Sequence, residues 1–447
     1  MFGFGQVRPA ILLTSALLAV AVVRAAPPPS IDAALEKFWS ARSPQDAGKA
    51  AEAVVRSGIT FDEALARLKR GRPYAAQVKR GLVKLERRAA VGDFFYDLNV
   101  PAAYDPARKY QVRVQLHGGV MRREIGEPRT AGGRGGGATL EGAEQIYVMP
   151  VAWREAPWWG RAQVENIDAI LDSLKRTYNV DENRVVLSGV SDGATGLYYF
   201  AMRDTTPFAS FLPLNGHMMV LANDQLRLDS ELFPTNLRNK PLFVVNGGQD
   251  PLYPIRSVEP YVEHLRGSGV SVDYHPRPEA GHNTAWWPEL KDTFEDFVRD
   301  HPRDPLPAAL TWETTDRDAP SRAHWLVIDR VKPSTPADRQ PWADLNVFSG
   351  PGLNRGRELF VRTRPSGRVD LTRRGNSVEM ATRGVAALTL LISPDAFDFS
   401  QPITVTANGR VVADARLEPS PATLLKWAAR DNDRTMLFGA ELPIVLK

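Results

Sequence analysis

The sequence contains no cysteine. That excludes a disulfide framework, a thiolate metal site, a lipid-attachment cysteine and a cysteine nucleophile, so any nucleophile is an oxygen or nitrogen group. Charge of one sign is scarce as well. The 56 Lys and Arg against 52 Asp and Glu leave a formal net charge of +4, and Arg8 and Arg24 fall in the leader described below. No basic block with interleaved aromatics occurs, so no nucleic-acid partner is expected. There is no His-Glu-x-x-His run or similar clustering of His and carboxylates, and neither a metal nor a cofactor is expected. No apolar run reaches the roughly 20 residues that a membrane-spanning helix needs.

The chain does have length and apolar content. Its 447 residues, 43% of them hydrophobic, can hold two or three domains of roughly 100 to 200 residues, which excludes disordered and fibrous classes. Residues 1–25 read as a secretory leader: Arg8 supplies the positive region, Ile11 to Val23 the apolar core, and Val23-Arg24-Ala25 the small residues of a cleavage site. A retained anchor is the alternative, but Pro27, Pro28 and Pro29 follow directly. The expected mature protein is exported, secreted or periplasmic, spans no membrane, and is stabilised by burial alone.

Residues 26–80 carry apolar residues at helical spacing (Leu35, Phe38, Val54, Leu65, Leu68) and are expected to form short helices that pack or act as a lid. From 81 to 300, strand-like runs such as YQVRVQL, QIYVMPV, RVVLSGV and PLFVVNG alternate with helical stretches. Such alternation predicts an α/β domain, a doubly wound and mainly parallel sheet covered on both faces. A Pro-rich linker occupies 301–307. Residues 308–447 hold short strand-like runs, with Asn408-Gly409 as a hairpin signal and one helix near 422–430. They predict a C-terminal β-rich, sandwich-like domain.

The chemistry concentrates in one pattern. Gly189-Val190-Ser191-Asp192-Gly193 fits G-x-S-x-G, with an apolar strand before it and a helical stretch after it. In that context the turn is so tight that only small residues fit beside the serine, whose hydroxyl stands exposed at the sheet's tip. A serine needs a base oriented by an acid, and in this architecture they follow in the order Ser, Asp, His. Asp250 comes just past a strand and His282 lies in a Gly-flanked loop before the last helix, so Ser191, Asp250 and His282 are the candidate catalytic residues. The backbone N–H groups of Asp192 and Gly119, the latter in Leu116-His117-Gly118-Gly119, are the candidate oxyanion hole. His117 is expected to be structural.

Taken together, LHGG, YNVDENRVVLSGVSDGATG, NGGQD and GHNTAWW resemble the α/β-hydrolase superfamily, in particular the secreted serine esterases that include feruloyl esterases, polyhydroxyalkanoate depolymerases and the esterase D type. The resemblance covers about residues 90 to 300. It implies an acyl-enzyme ester hydrolase with Ser191, Asp250 and His282 as its triad and a small-molecule or polymeric ester as substrate. The sequence departs from the pattern at Asp192, where a neutral or apolar residue is more usual, and this leaves the substrate's charge open.

Three further features have two readings each. Trp158, Trp159 and Trp286 are expected to line the substrate site, with His217 as a pocket wall, although paired tryptophans also pack helix starts. AGGRGGGA (131–138) lacks the Lys-Ser/Thr of a phosphate loop and reads as a surface loop. The catalytic apparatus itself does not separate ester from amide, so a serine peptidase of the prolyl oligopeptidase type stands as the alternative, although the stretch before the first strands is too short for that type's propeller. A hydrolase that has lost its activity and serves as an envelope binding protein is the reading outside enzymology. The natural substrate, the β-domain's ligand and the oligomeric state are not legible in the sequence.

Overall fold

The computed structural model describes residues 29–89, 92–122, 145–226, 228, 232–316, 318–319, 321–333 and 365–446, together with Met1 and Gly3. The leader's apolar core, the glycine-rich stretch 131–138 and the strand-like run 358–364 lie outside the described residues. Among the described residues no helix is long and apolar enough to cross a membrane.

Three helices come first: α1 (Ile31–Ser40), α2 (Pro44–Arg56) and α3 (Phe61–Arg70). Each starts at a hydroxyl residue, Ser30, Ser43 or Thr60, whose side chain accepts an N–H of the first turn. Such caps satisfy donors that a helix start leaves unpaired.

The central sheet comprises β1 (Gly81–Ala89), β2 (Gly92–Val100), β3 (Tyr110–Leu116), β4 (Gln145–Pro150), β5 (Val180–Val190), β6 (Phe211–Leu214), β7 (Leu242–Gly247) and β8 (Val272–Arg277), in the order β1-β2-β4-β3-β5-β6-β7-β8. Strand β2 runs antiparallel to both neighbours, and the remaining strands are parallel. Every residue of β6 and β7 is buried, as a sheet covered on both faces requires. Helices α4 (Arg161–Thr177), α5 (Asp192–Arg203) and α6 (Ile255–Gly267) pack Ile170, Leu197 and Val262 into one core. Helix α7 (Trp287–Asp300) covers the opposite face, where Phe294 and Phe297 meet Phe243 and Val245. The expected doubly wound, mainly parallel sheet is therefore present.

The C-terminal part contains β9 (Ala309–Thr315), β10 (Ser321–Ala323), β11 (Leu326–Val331), β12 (Ser366–Arg374), β13 (Ser377–Arg383), β14 (Val385–Ile392), β15 (Ile403–Ala407), β16 (Arg410–Ala415), α8 (Pro421–Asp431) and β17 (Ala440–Val445). They form two sheets, β10-β11-β14-β17 and β16-β15-β13-β12-β9, with Trp312, Ile328, Val369, Leu390 and Val405 sharing one core. Asn408 and Gly409 have φ of 50° and 76°, the left-handed pair that a two-residue hairpin turn demands. Strand β17 was not legible in the sequence. It contains Pro443, which it tolerates because it lies at a sheet edge.

The N-terminal helices do not form a lid. Leu35, Phe38, Val54 and Leu68 share a core with Leu424, Leu425 and Ala428 of α8, so the two ends of the chain bury one another. This cluster sits against the C-terminal end of α4, where Arg176 donates to the Ala41 carbonyl and Tyr74 to the Lys175 carbonyl. Because α4 runs antiparallel to the strands it connects, that is the end of the sheet remote from Ser191.

Candidate active site

Strand β5 ends at Val190 and α5 begins at Asp192, which leaves Ser191 alone to reverse the chain. It does so with φ 58° and ψ −118°, a conformation that costs a non-glycine residue about 1–3 kcal/mol. The flanking glycines are required by contact. A Cβ on Gly189 would lie 2.5 Å from the Gly193 backbone, and one on Gly193 would lie 2.2 Å from the Leu116 carbonyl oxygen. The motif residues are therefore small because strand, helix and the end of β3 converge at this point.

The three candidate catalytic residues come together. Asp250 follows β7, and its fully buried side chain lies 2.7 Å from His282 Nδ1. Oδ1 of the same carboxylate accepts the N–H groups of Leu252 and Tyr253 at 2.8 and 3.0 Å. With Nδ1–H donated to Asp250, His282 Nε2 is the acceptor for the Ser191 hydroxyl, 2.9 Å away. About a quarter of the His282 side chain is exposed, so the base is accessible while the acid is sealed off. A buried acid, a base and a partly exposed hydroxyl in line are what activate a serine as a nucleophile.

The glycine loop after β3 lies directly against this serine. A Cβ on Gly118 would fall 2.9 Å from Ser191 Cβ, and Gly119 takes φ 71°. His117 anchors the loop: its Nδ1 lies 2.8 Å from the Gly118 carbonyl oxygen, its Nε2 accepts the Ala152 N–H, and its carbonyl accepts Trp158 Nε1. These partners fix the ring with its proton on Nδ1 and account for its structural role. Asp192, the first residue of α5, has no carbonyl one turn earlier in the helix to receive its N–H. Asp192 follows Ser191 directly, and Gly119 follows the glycine that abuts it.

The tryptophans expected to line the substrate site are buried among neighbouring loops and helices. Trp158 is completely buried, packs its ring edge-on to His117 and abuts Gly196 of α5. Trp159 belongs to the same core, and Trp286 belongs to the core beneath α7. These rings pack into the two cores that carry the loops around Ser191. His217 is also buried, edge-on to Tyr261 and Tyr253. Burial lowers its pKa to about 4, so its ring is neutral at neutral pH. Tyr253 lies between it and His282, with the Tyr253 and His282 ring centroids 5.8 Å apart. Burial, and after it the carboxylates of Asp192 and Asp250, push the Tyr253 phenol up to about 12.

No known protein-family profile matches the chain. A stretch of 124 residues is 28% identical to the bifunctional acetylxylan esterase/xylanase XynS20E of Neocallimastix patriciarum, covering 27% of this chain and 17% of that protein. Among solved structures, a thermostable esterase aligns over 50% of this chain and 63% of its own, with 20% identity and a TM-score of 0.38. Esterase 2 of Thermogutta terrifontis aligns over 51% and 97%, with 13% identity and a TM-score of 0.37. The S-formylglutathione hydrolase FrmB of Staphylococcus aureus aligns over 50% and 99%, with 15% identity and a TM-score of 0.37.

Two supporting residues were not singled out from the sequence. Asn215, at φ 50° after β6, donates its side-chain amide to the Asn283 carbonyl at 2.7 Å and so holds the residue next to His282. Asn246, near the end of β7, donates to the Gly216 carbonyl at 3.1 Å and reaches toward the Tyr253 carbonyl. The available signal was the Asn-Gly pair closing each of these strands, LNG and VNG.

Proposed function

We propose that the chain is a serine ester hydrolase of the α/β-hydrolase type that works through an acyl-enzyme. The observation that carries this reading is His282, placed 2.9 Å from the Ser191 hydroxyl and 2.7 Å from the buried Asp250 carboxylate. Ser191 Oγ attacks the ester carbonyl while His282 Nε2 takes its proton, and Asp250 stabilises the resulting imidazolium. The N–H groups of Gly119 and Asp192 receive the negative oxygen of the tetrahedral intermediate. Collapse expels the alcohol, which takes the proton from His282. Water, activated by the same histidine, then releases the acid and regenerates Ser191.

The sheet order supports the reading, with the nucleophile on the strand beside β3 and the acid two strands further along. The intact hydrogen-bonded chain from Asp250 to Ser191 counts against a protein kept only for binding. Acetyl esters are the first substrates to try, since the relative XynS20E is described as an acetylxylan esterase. The proposed leader would deliver the enzyme outside the cytoplasm. The test is parallel turnover of an aryl acetate and a peptide anilide. Faster ester cleavage supports the reading, and faster anilide cleavage with no ester excess would replace it with a peptidase.

A further inference from the structure

The residue that departs from the usual motif makes a contact that the proposed chemistry does not require. Asp192 Oδ2 accepts the backbone N–H of Val120 at 2.7 Å. Val120 directly follows the two loop glycines and is itself buried. At the other end of this short loop, His117 is held by Ala152 and Trp158. Between the two anchors stand only Gly118 and Gly119, which have no side chains to restrain them and the widest conformational freedom of any residue type. Gly119 is also the residue proposed to supply one oxyanion donor.

We propose that Asp192 is a positioning residue whose carboxylate ties the loop at Val120 and thereby holds the Gly119 N–H in register with Ser191. The inference rests on the serine-hydrolase reading for its consequence in catalysis, but the tie itself does not depend on it. An oxyanion hole is effective because its donors are already in place when charge develops. One residue then serves both sides of the hole, its backbone N–H as one donor and its side chain as the clamp on the loop carrying the other. The arrangement places a carboxylate close to the position where the oxyanion forms, a repulsion that an uncharged acceptor would avoid. It also sits at the N-terminus of α5, where negative charge is favoured.

Asp192→Ala and Asp192→Asn separate the hydrogen bond from the charge, because asparagine keeps an acceptor oxygen and loses the charge. Removing an oxyanion donor outright costs about 100- to 1000-fold in kcat, and displacing one is expected to cost part of that. Asp192→Ala is therefore expected to lower kcat on an aryl acetate about 10- to 100-fold with KM nearly unchanged, while Asp192→Asn stays within a few-fold of wild type. Equal loss in both variants, or wild-type kcat in Asp192→Ala, overturns the proposal. Amide hydrogen exchange at Val120 provides a readout independent of turnover: it should accelerate in Asp192→Ala and stay slow in Asp192→Asn. Unchanged exchange in Asp192→Ala also overturns the tie. If wild type shows no ester turnover, the hydrolase reading fails while the exchange experiment still decides the tie. Matching far-ultraviolet spectra and thermal midpoints establish that both variants fold.

Discussion

Arg303 and Asp433 pair at 2.7 Å with only 1% of either side chain exposed, joining the chain just after α7 to the segment after α8. Arg303 also donates to Asn183 and Thr435, and Arg434 binds Glu182 of β5 through two guanidinium nitrogens. Breaking one partner of a buried pair leaves a charge uncompensated and costs about 3–5 kcal/mol. Asp433→Ala is expected to lower the unfolding midpoint far more than Lys426→Ala, which removes a mostly exposed lysine from its pair with Glu441. Denaturant melts of the two variants compare them directly.

The same pair predicts acid sensitivity. Burial alone would raise the Asp433 pKa, but Arg303, Lys175 and Thr435 together outweigh it and hold the carboxyl below the ordinary carboxylate range. A depressed folded-state pKa contributes stability above the unfolded value of about 3.9, and that contribution is lost as pH falls below it. Stability should therefore drop below about pH 4 in wild type and drop less steeply in Asp433→Asn. Melting temperature measured against pH for both proteins checks this.

His217 acts in a higher window. Its folded pKa is lowered to about 4 from 6.5 by burial, so between those values the unfolded chain binds a proton that the folded chain refuses. Stability is thus complete above pH 6.5 and declines toward pH 4. In a nuclear magnetic resonance titration, the His217 ring signal is expected to stay at its neutral position at pH 5.5. A midpoint near 6.5 would contradict the buried placement.

The backbone at Ser191 predicts a trade between activity and stability. Both Ser191→Ala and Ser191→Gly remove the hydroxyl, but only glycine relieves the positive φ. Relief of about 1–3 kcal/mol of strain exceeds the roughly 0.4–1 kcal/mol that glycine costs through the unfolded chain. Ser191→Gly should therefore unfold at higher denaturant than Ser191→Ala, and the reverse order would show that the turn is unstrained.

The acid of the proposed triad gives a kinetic prediction. Asp250→Asn preserves the shape of the site and removes the charge that orients His282, so kcat should fall about 1000- to 10,000-fold with the fold intact. Stopped-flow or steady-state rates on an aryl ester measure it.

The candidate site residues, which the fold brings together, were legible because they sit in local punctuation. Gly189 and Gly193 report a strand-to-helix turn, and Asp250 and His282 follow strands at their C-terminal ends, all of which spacing alone conveys. The surroundings of the tryptophans were not legible because a Trp in a loop reads the same whether it faces solvent or, like Trp158, fills the space between a loop and a helix. That distinction depends on Gly196 and His117, far away in sequence. For the same reason nothing local showed that Leu424 and Leu425 would cover α1 to α3, or that the segment after α8 is joined to the central sheet region through buried ions. Removing residues 308–447 is accordingly expected to abolish cooperative folding, not merely to weaken binding to a polymer.

The central claim is that Ser191 attacks an ester carbonyl. Its most direct measurement is the rate of p-nitrophenyl acetate hydrolysis by wild type and by Ser191→Ala at equal concentration, with folding verified. The account predicts turnover in wild type and a loss of at least about 1000-fold in the variant. Equal rates for the two proteins would contradict it.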